Sequence, residues 1–360
     1  MMRAVMKGSV GIFAALAVAV AIVAVSCASD DANRGATGQI FLYGEAHGVE
    51  RLMNRQLEIW GDYYHNHGMR HLFIEWTYFT AEFLNVWMRQ DNDDILYELY
   101  NDWQGSGADE PIYLEFFRTI KRDFPETVFH GVDILQWQYP TGRRFLQHLE
   151  DNDMQGSDVY LLTLEALEQV EEQGRRLAER GYVDSEFRVT KMAENFIRAF
   201  DELGGQSVMG IFGAAHTTLG FYEREATDIR TFAERLSERY GDSLHLTDLR
   251  LWMSTVPIRV DVVSINGVDY EAAYFGTNFF EREDFVSLSF WRLENAYDDF
   301  RNKPTNGDWL PADNYPMPIE TYQVFFLDVT MTDGSVLREF FRSDGEELES
   351  RVITTGFSVD

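Results

Sequence analysis

Gly44-Glu45-Ala46-His47 and Gly213-Ala214-Ala215-His216 each follow a short apolar run and place a glycine three residues before a histidine. The first carries a carboxylate two residues from its imidazole. Two further acids, Glu75 and Asp133, stand at the ends of short apolar runs. An imidazole titrates near pH 6.5, so beside a carboxylate it can accept and return protons at neutral pH. The same residue types could instead hold a divalent ion with open positions for water. The chain has no Gly-x-Ser-x-Gly elbow and no His-Glu-x-x-His, so nothing marks a serine nucleophile or that zinc motif.

The elements that must position these residues can be read from periodicity. Ile40–Tyr43 is an apolar run, and Val49, Leu52, Met53, Leu57 and Trp60 follow it at helical spacing. His71–Ile74 with the segment Phe79–Leu99, and Thr127–Phe129 with the segment from Pro140, repeat that strand-helix pattern. A helix through Val189, Met192, Ala193, Phe196, Ile197 and Phe200 ends at Gly204-Gly205 and leads into the run Ser207–Phe212. Alternating strands and helices predict an α/β fold with a mainly parallel sheet covered by helices on both faces. Ligands of such sheets bind beyond the carboxyl ends of the strands. That is where Glu45, His47, Glu75, Asp133 and His216 fall. His130, within the third run, reads as a core histidine.

The grammar changes in the last third. Pro257–Ile265 and Val268–Phe275 flank Asn266-Gly267, a strong hairpin signal. Thr321–Thr330 and Val336–Phe341 flank a turn containing Asp333-Gly334. The span Arg301–Pro318, rich in Pro, Asn, Asp and Gly, reads as a long loop. The expected organisation is an α/β domain over residues 39–243 and a β-rich accessory region over residues 244–360.

The N-terminus has its own chemistry. Arg3 and Lys7 precede the sixteen-residue apolar run Val10–Val25, and Ala24-Val25-Ser26 leads to Cys27, the single cysteine of the 360 residues. A positive start, an apolar stretch and small residues before a cut site describe a secretory signal over residues 1–26. Ala24-Val25-Ser26-Cys27 resembles a bacterial lipobox, with Ala24 where Leu is usual. That resemblance implies fatty acylation of Cys27, a tether over residues 27–38, and a lipoprotein held on a membrane facing the periplasm or the cell surface. Removing residues 1–26 takes the formal net charge from −29 to −31. A body this acidic repels phosphate backbones, so nucleic acid is excluded as a partner and a small-molecule or peptide ligand is expected. One cysteine closes no intrachain disulfide and builds no Cys-based zinc site.

Gly44-Glu45-Ala46-His47, the acid at Glu75 and the later Gly213-Ala214-Ala215-His216 resemble the superfamily of erythromycin esterases, ChaN-type haem-binding lipoproteins and Tiki/TraB proteins. Arg188-Val189-Thr190-Lys191-Met192-Ala193-Glu194-Asn195 is similar to the erythromycin-esterase segment Arg-Asp-x-x-Met-Ala-x-Asn, with Val189 in place of aspartate. The resemblance spans residues 39–225. It departs from the esterases at Gly44-Glu45-Ala46-His47-Gly48, one residue shorter than their Gly-Glu-x-x-His-Gly, and at Ala214, where Asn is frequent. Erythromycin is therefore a poor substrate expectation.

The resemblance implies three chemistries. In an esterase-like hydrolase, His47 is the general base, Glu45 or Glu75 orients it, and His216 or Arg188 stabilises the oxyanion. Asp133 joins the set as a strand-end acid. In a Tiki-like hydrolase, Glu45, His47, Glu75 and His216 hold a divalent metal ion. In a ChaN-like lipoprotein, haem or iron is bound without turnover, with an axial His or Tyr and aromatic surface from Trp76, Tyr78, Phe79, Trp137 and Tyr139. Two other motifs read as structural. His65, His67 and His71 fall around a helix end, and Gly105-Ser106-Gly107 lacks the glycines of a phosphate loop and reads as a turn.

Overall fold

The computed structural model describes residues 38–222, 229–280, 285–348 and 351–359. The expected signal segment, Cys27 and all but the last residue of the tether lie outside them. No helix among the described residues is long and apolar enough to cross a membrane.

The first sheet has five strands in the order β3-β2-β4-β1-β5. They are β1 (Ile40–Glu45), β2 (His71–Thr77), β3 (Val128–Asp133), β4 (Val208–Gly213) and β5 (Leu244–Asp248). Every pairing among them is parallel. The connections carry α1 (Glu50–His67), α2 (Tyr78–Met88), α3 (Asp94–Asp102), α4 (Ile112–Asp123), α5 (Tyr139–Asp151), α6 (Asp158–Arg180), α7 (Ser185–Glu202) and α8 (Phe232–Tyr240). Alternate strand residues enter two cores. Leu72, Ile74, Met209 and Ile211 join Met53, Trp60 and Phe117 on one face. Ile40, Leu42, Phe73, Val208 and Phe212 join Phe196 and Phe232 on the other. Burial on both faces explains why these strands read as continuous apolar runs rather than alternating ones. Strand β5 joins the same sheet beyond residue 243, where the β-rich region was expected to begin.

Two local features aim the strand ends. The ladder between β2 and β3 slips between Ile74 and Thr77, so Glu75 and Trp76 together face Val132. Such a bulge re-aims side chains at the rim of a sheet. The outer edge of β3 is closed by Asn85 on α2, whose side chain donates to the Phe129 carbonyl at 2.9 Å and accepts from its N–H at 2.8 Å.

After α9 (Leu249–Thr255), the chain builds an antiparallel sheet from β6 (Arg259–Ile265), β7 (Val268–Phe279), β8 (Phe285–Leu293), β9 (Thr305–Pro311), β10 (Gln323–Met331), β11 (Val336–Ser343), β12 (Glu347–Leu348) and β13 (Arg351–Phe357). Its order is β12-β13-β11-β10-β8-β7-β6, with β9 on β13. Asn266 and Gly267 both have positive φ, 52° and 82°, as the expected hairpin requires. Asp333-Gly334 likewise joins β10 to β11. The expected loop Arg301–Pro318 contains β9. Its polar residues suit an exposed strand whose register is set by β13, a distant partner. Arg51, in the first turn of α1, donates to the Met253 and Val256 carbonyls at 2.9 and 2.5 Å and stacks over Trp252. The helix that follows His47 is thereby fastened to the lead-in of the antiparallel sheet.

Candidate active site

The carboxyl ends of β1, β2 and β4 bring Glu45, His47 and Glu75 together over Gly213. His47 Nδ1 lies 2.6 Å from Glu45 Oε1. A Cβ on Gly213 would stand 3.2 Å from both His47 Nε2 and Glu75 Oε2. The absence of a side chain there lets the imidazole and the second carboxylate both approach the end of β4. The Gly213 N–H donates to Glu75 Oε2 at 2.6 Å.

Behind this pair is a buried network. Arg188 on α7 donates through Nε to Asp133 Oδ1 and through its terminal nitrogen to Glu75 Oε1, each at 2.9 Å. His216 Nε2 lies 3.1 Å from the same Glu75 oxygen, and its Nδ1 is 2.6 Å from the Tyr222 hydroxyl. An ionised Glu75 can only accept, so Nε2 of His216 carries a proton.

The electrostatics follow from this geometry. Burial opposes ionisation of Glu75, but the His216 and Arg188 partners outweigh it and hold the carboxyl well below the usual range. Burial also opposes the charge on Arg188, and Asp133 with Glu75 reverses that effect. His47 is pushed up to about 9, chiefly by its hydrogen bond to Glu45, with Glu75 adding to the effect. At neutral pH the resting site holds His47 as an imidazolium.

A cavity of about 600 Å³ opens in front of these groups. Glu45, His47, Glu75 and Arg188 line it, whereas Asp133 and His216 do not. Those two are buried and pair with Arg188 and Glu75 behind it. Trp76 and Trp137 also line the cavity. Tyr78, Phe79 and Tyr139 do not: Phe79 is core, Tyr78 faces a smaller cavity of about 180 Å³, and Tyr139 packs on the core from α5.

Several lining residues escaped the sequence reading. Gln56 donates to Glu45 Oε2 at 3.4 Å. It is buried on the stripe formed by Leu52, Met53 and Trp60, and a polar residue on an apolar helical stripe was the available signal. Tyr113 accepts from the Gly48 N–H at 3.1 Å, and burial pushes its phenol above the ordinary value. It lies on the buried face of α4 with Phe116, Phe117 and Ile120, where no local signal sets it apart. The Gly105–Gly107 segment is a turn, as expected, and it also forms cavity wall.

The donor set does not fit a metal. Among the described residues, no three His, Cys, Asp or Glu side chains are grouped to hold one. The Arg188 guanidinium already stands against Glu75, where a cation would compete with it. The histidine run behaves as expected: His65 and His67 occupy the last turn of α1 before Gly68, whose φ is 67°.

No family model and no curated protein matches the sequence. Three solved structures are similar in fold. An erythromycin esterase variant in its open conformation is 13% identical with a TM-score of 0.44, over 57% of this chain and 68% of its own. A Bacillus cereus protein is 12% identical with a TM-score of 0.42, over 63% and 68%. A succinoglycan biosynthesis protein is 12% identical with a TM-score of 0.42, over 57% and 64%.

Proposed function

We propose that the protein hydrolyses ester or amide bonds, with His47 as the proton-transfer group. The observation that carries this reading is the Glu45–His47 pair, closed at 2.6 Å on Nδ1, with Nε2 beside Glu75 at the floor of the cavity. A carboxylate on Nδ1 fixes ring orientation and tautomer and stabilises the imidazolium that forms when Nε2 takes a proton. Water attacks the carbonyl carbon as its proton passes to Nε2. The imidazolium then returns that proton to the leaving oxygen or nitrogen as the carbon–heteroatom bond breaks. Arg188 keeps Glu75 and Asp133 compensated, and His216 with Tyr222 holds Glu75 in place. The Tyr113 phenol, which stays protonated, is the donor assigned to the developing oxyanion.

The raised value of His47 has a consequence for this step. The base form requires deprotonation, so kcat/KM rises with pH and levels only above about 9. The decisive experiment is a panel of esters and amides with the purified full chain, set beside His47→Ala and Tyr113→Phe, together with a haem titration and metal analysis. Loss of turnover in His47→Ala, with a drop of about 10²-fold in kcat for Tyr113→Phe, supports the assignment. Stoichiometric haem uptake without turnover in the unaltered protein favours the ligand-binding lipoprotein. Anchoring of the body through acylated Cys27 is part of the same proposal. Mass spectrometry of the N-terminal peptide, and release of Cys27→Ala from membranes, test it.

A further inference from the structure

We infer that the cavity selects an uncharged substrate bearing an apolar chain or ring on one side of the scissile bond. This rests on the hydrolytic reading of the His47 site and adds the class of compound it takes.

The first observation is that the ionic groups lining the cavity are already paired. Glu45 meets His47 at 2.6 Å and Glu75 meets Arg188 at 2.9 Å. Asp102 is bridged by Arg144 and accepts from Thr141 at 2.6 Å. A charged substrate group would be stripped of water and find no spare counter-charge, which is costly in a partly closed site. An anion meets a second obstacle, since the chain carries a net charge of −29.

The second observation is the wall. Met53, Ile74, Trp76, Phe116, Phe117 and Ile211 line the cavity, and each is itself buried in the core beneath it. Ile74 and Trp76 flank Glu75 in sequence, and Ile211 lies two residues before Gly213. The apolar surface therefore begins beside the reacting groups. The volume of about 600 Å³ equals the space of about 20 water molecules, enough for a substrate of drug-like size.

The test uses two series with the purified full chain: p-nitrophenyl esters from acetate to octanoate, and alkyl acetates from ethyl to octyl. A p-nitrophenyl hemisuccinate and a choline ester serve as charged comparators. In at least one series kcat/KM should rise about fourfold per methylene, the factor expected for burying one CH₂. Both charged esters should fall at least tenfold below the neutral ester of equal length. Butanamide to octanamide should bind the His47→Ala variant with affinity increasing along the series, read from Trp76 and Trp137 fluorescence. A flat response in both ester series, or a charged ester matching the neutral one, overturns the substrate class while His47-dependent turnover keeps the hydrolytic reading. Absence of any His47-dependent turnover removes that reading. In that case alkanamide binding that ignores chain length removes the cavity assignment as well.

Discussion

The parallel sheet carries two histidine sites in opposite electrostatic states. At its carboxyl end, His47 is half-exposed, bonded to Glu45, and pushed up to about 9. Toward its amino end, His130 is half-buried, stacked on Phe73 with ring centroids 4.6 Å apart, and bonded to His71 at 2.9 Å. Burial drives His130 down to about 3, with the neighbouring His71 adding to the shift, and burial lowers His71 too. Residue type and sheet are the same in both places. What differs is the carboxylate: one within hydrogen-bond reach makes the imidazole a proton reservoir, and its absence in a buried setting makes the imidazole a neutral packing group.

Exchanging or removing these groups tests the contrast. The largest expected effect is on turnover. His47→Ala should cost between about 10² and 10⁴ in kcat/KM, the range of one acid–base group, whereas His130→Phe should leave it within a few-fold. Comparable losses in both variants would erase the functional distinction. Next is Glu45→Gln, which removes the charge that holds the proton. The rise of kcat/KM, and the His47 resonance followed by NMR, should move from about 9 back toward 6.5. A midpoint that stays near 9 would assign the shift to another group.

The third effect is on stability. His130 binds its proton more weakly folded than unfolded, so the unfolded state takes up more protons and stability falls as pH drops from about 6.5 toward 3. Replacing His130 with Phe should relieve about 1 kcal/mol of the loss between pH 6.5 and 5 in urea titrations. His47 has the opposite sign: its contribution is full below about 6.5 and is lost as pH rises through about 9. The smallest effect belongs to His67, exposed in the last turn of α1. His67→Ala should change stability by no more than about 0.5 kcal/mol and leave turnover untouched.

The sequence made β1 to β4 legible because burial between two helical layers leaves apolar runs, whereas the half-buried edge strand β5 carries none and went unread. Their polar ends at Glu45, Glu75 and Asp133 stood out for the same reason. The order of those strands was not legible, because β4 pairs with residues more than a hundred positions away. Nor was the division of labour at the site. Nothing in Gly213-Ala214-Ala215-His216 tells that His216 turns behind Glu75 rather than into the cavity. The bulge at Glu75 and Trp76 and the wall supplied by α4 depend on tertiary contacts without a local sequence signature. Strand β9 was hidden for a related reason, since a polar exposed strand is defined by its partner.

The placement of β4 between β1 and β2 also sets a schedule. During synthesis both acids and His47 leave the ribosome early, but the residue over which they meet is made only at position 213. Until then β1 and β2 share no neighbour, and Glu75 lacks the Gly213 N–H. A chain interrupted between Thr77 and Val208 keeps Glu45, His47 and Glu75 in its sequence and has no strand to bring them side by side.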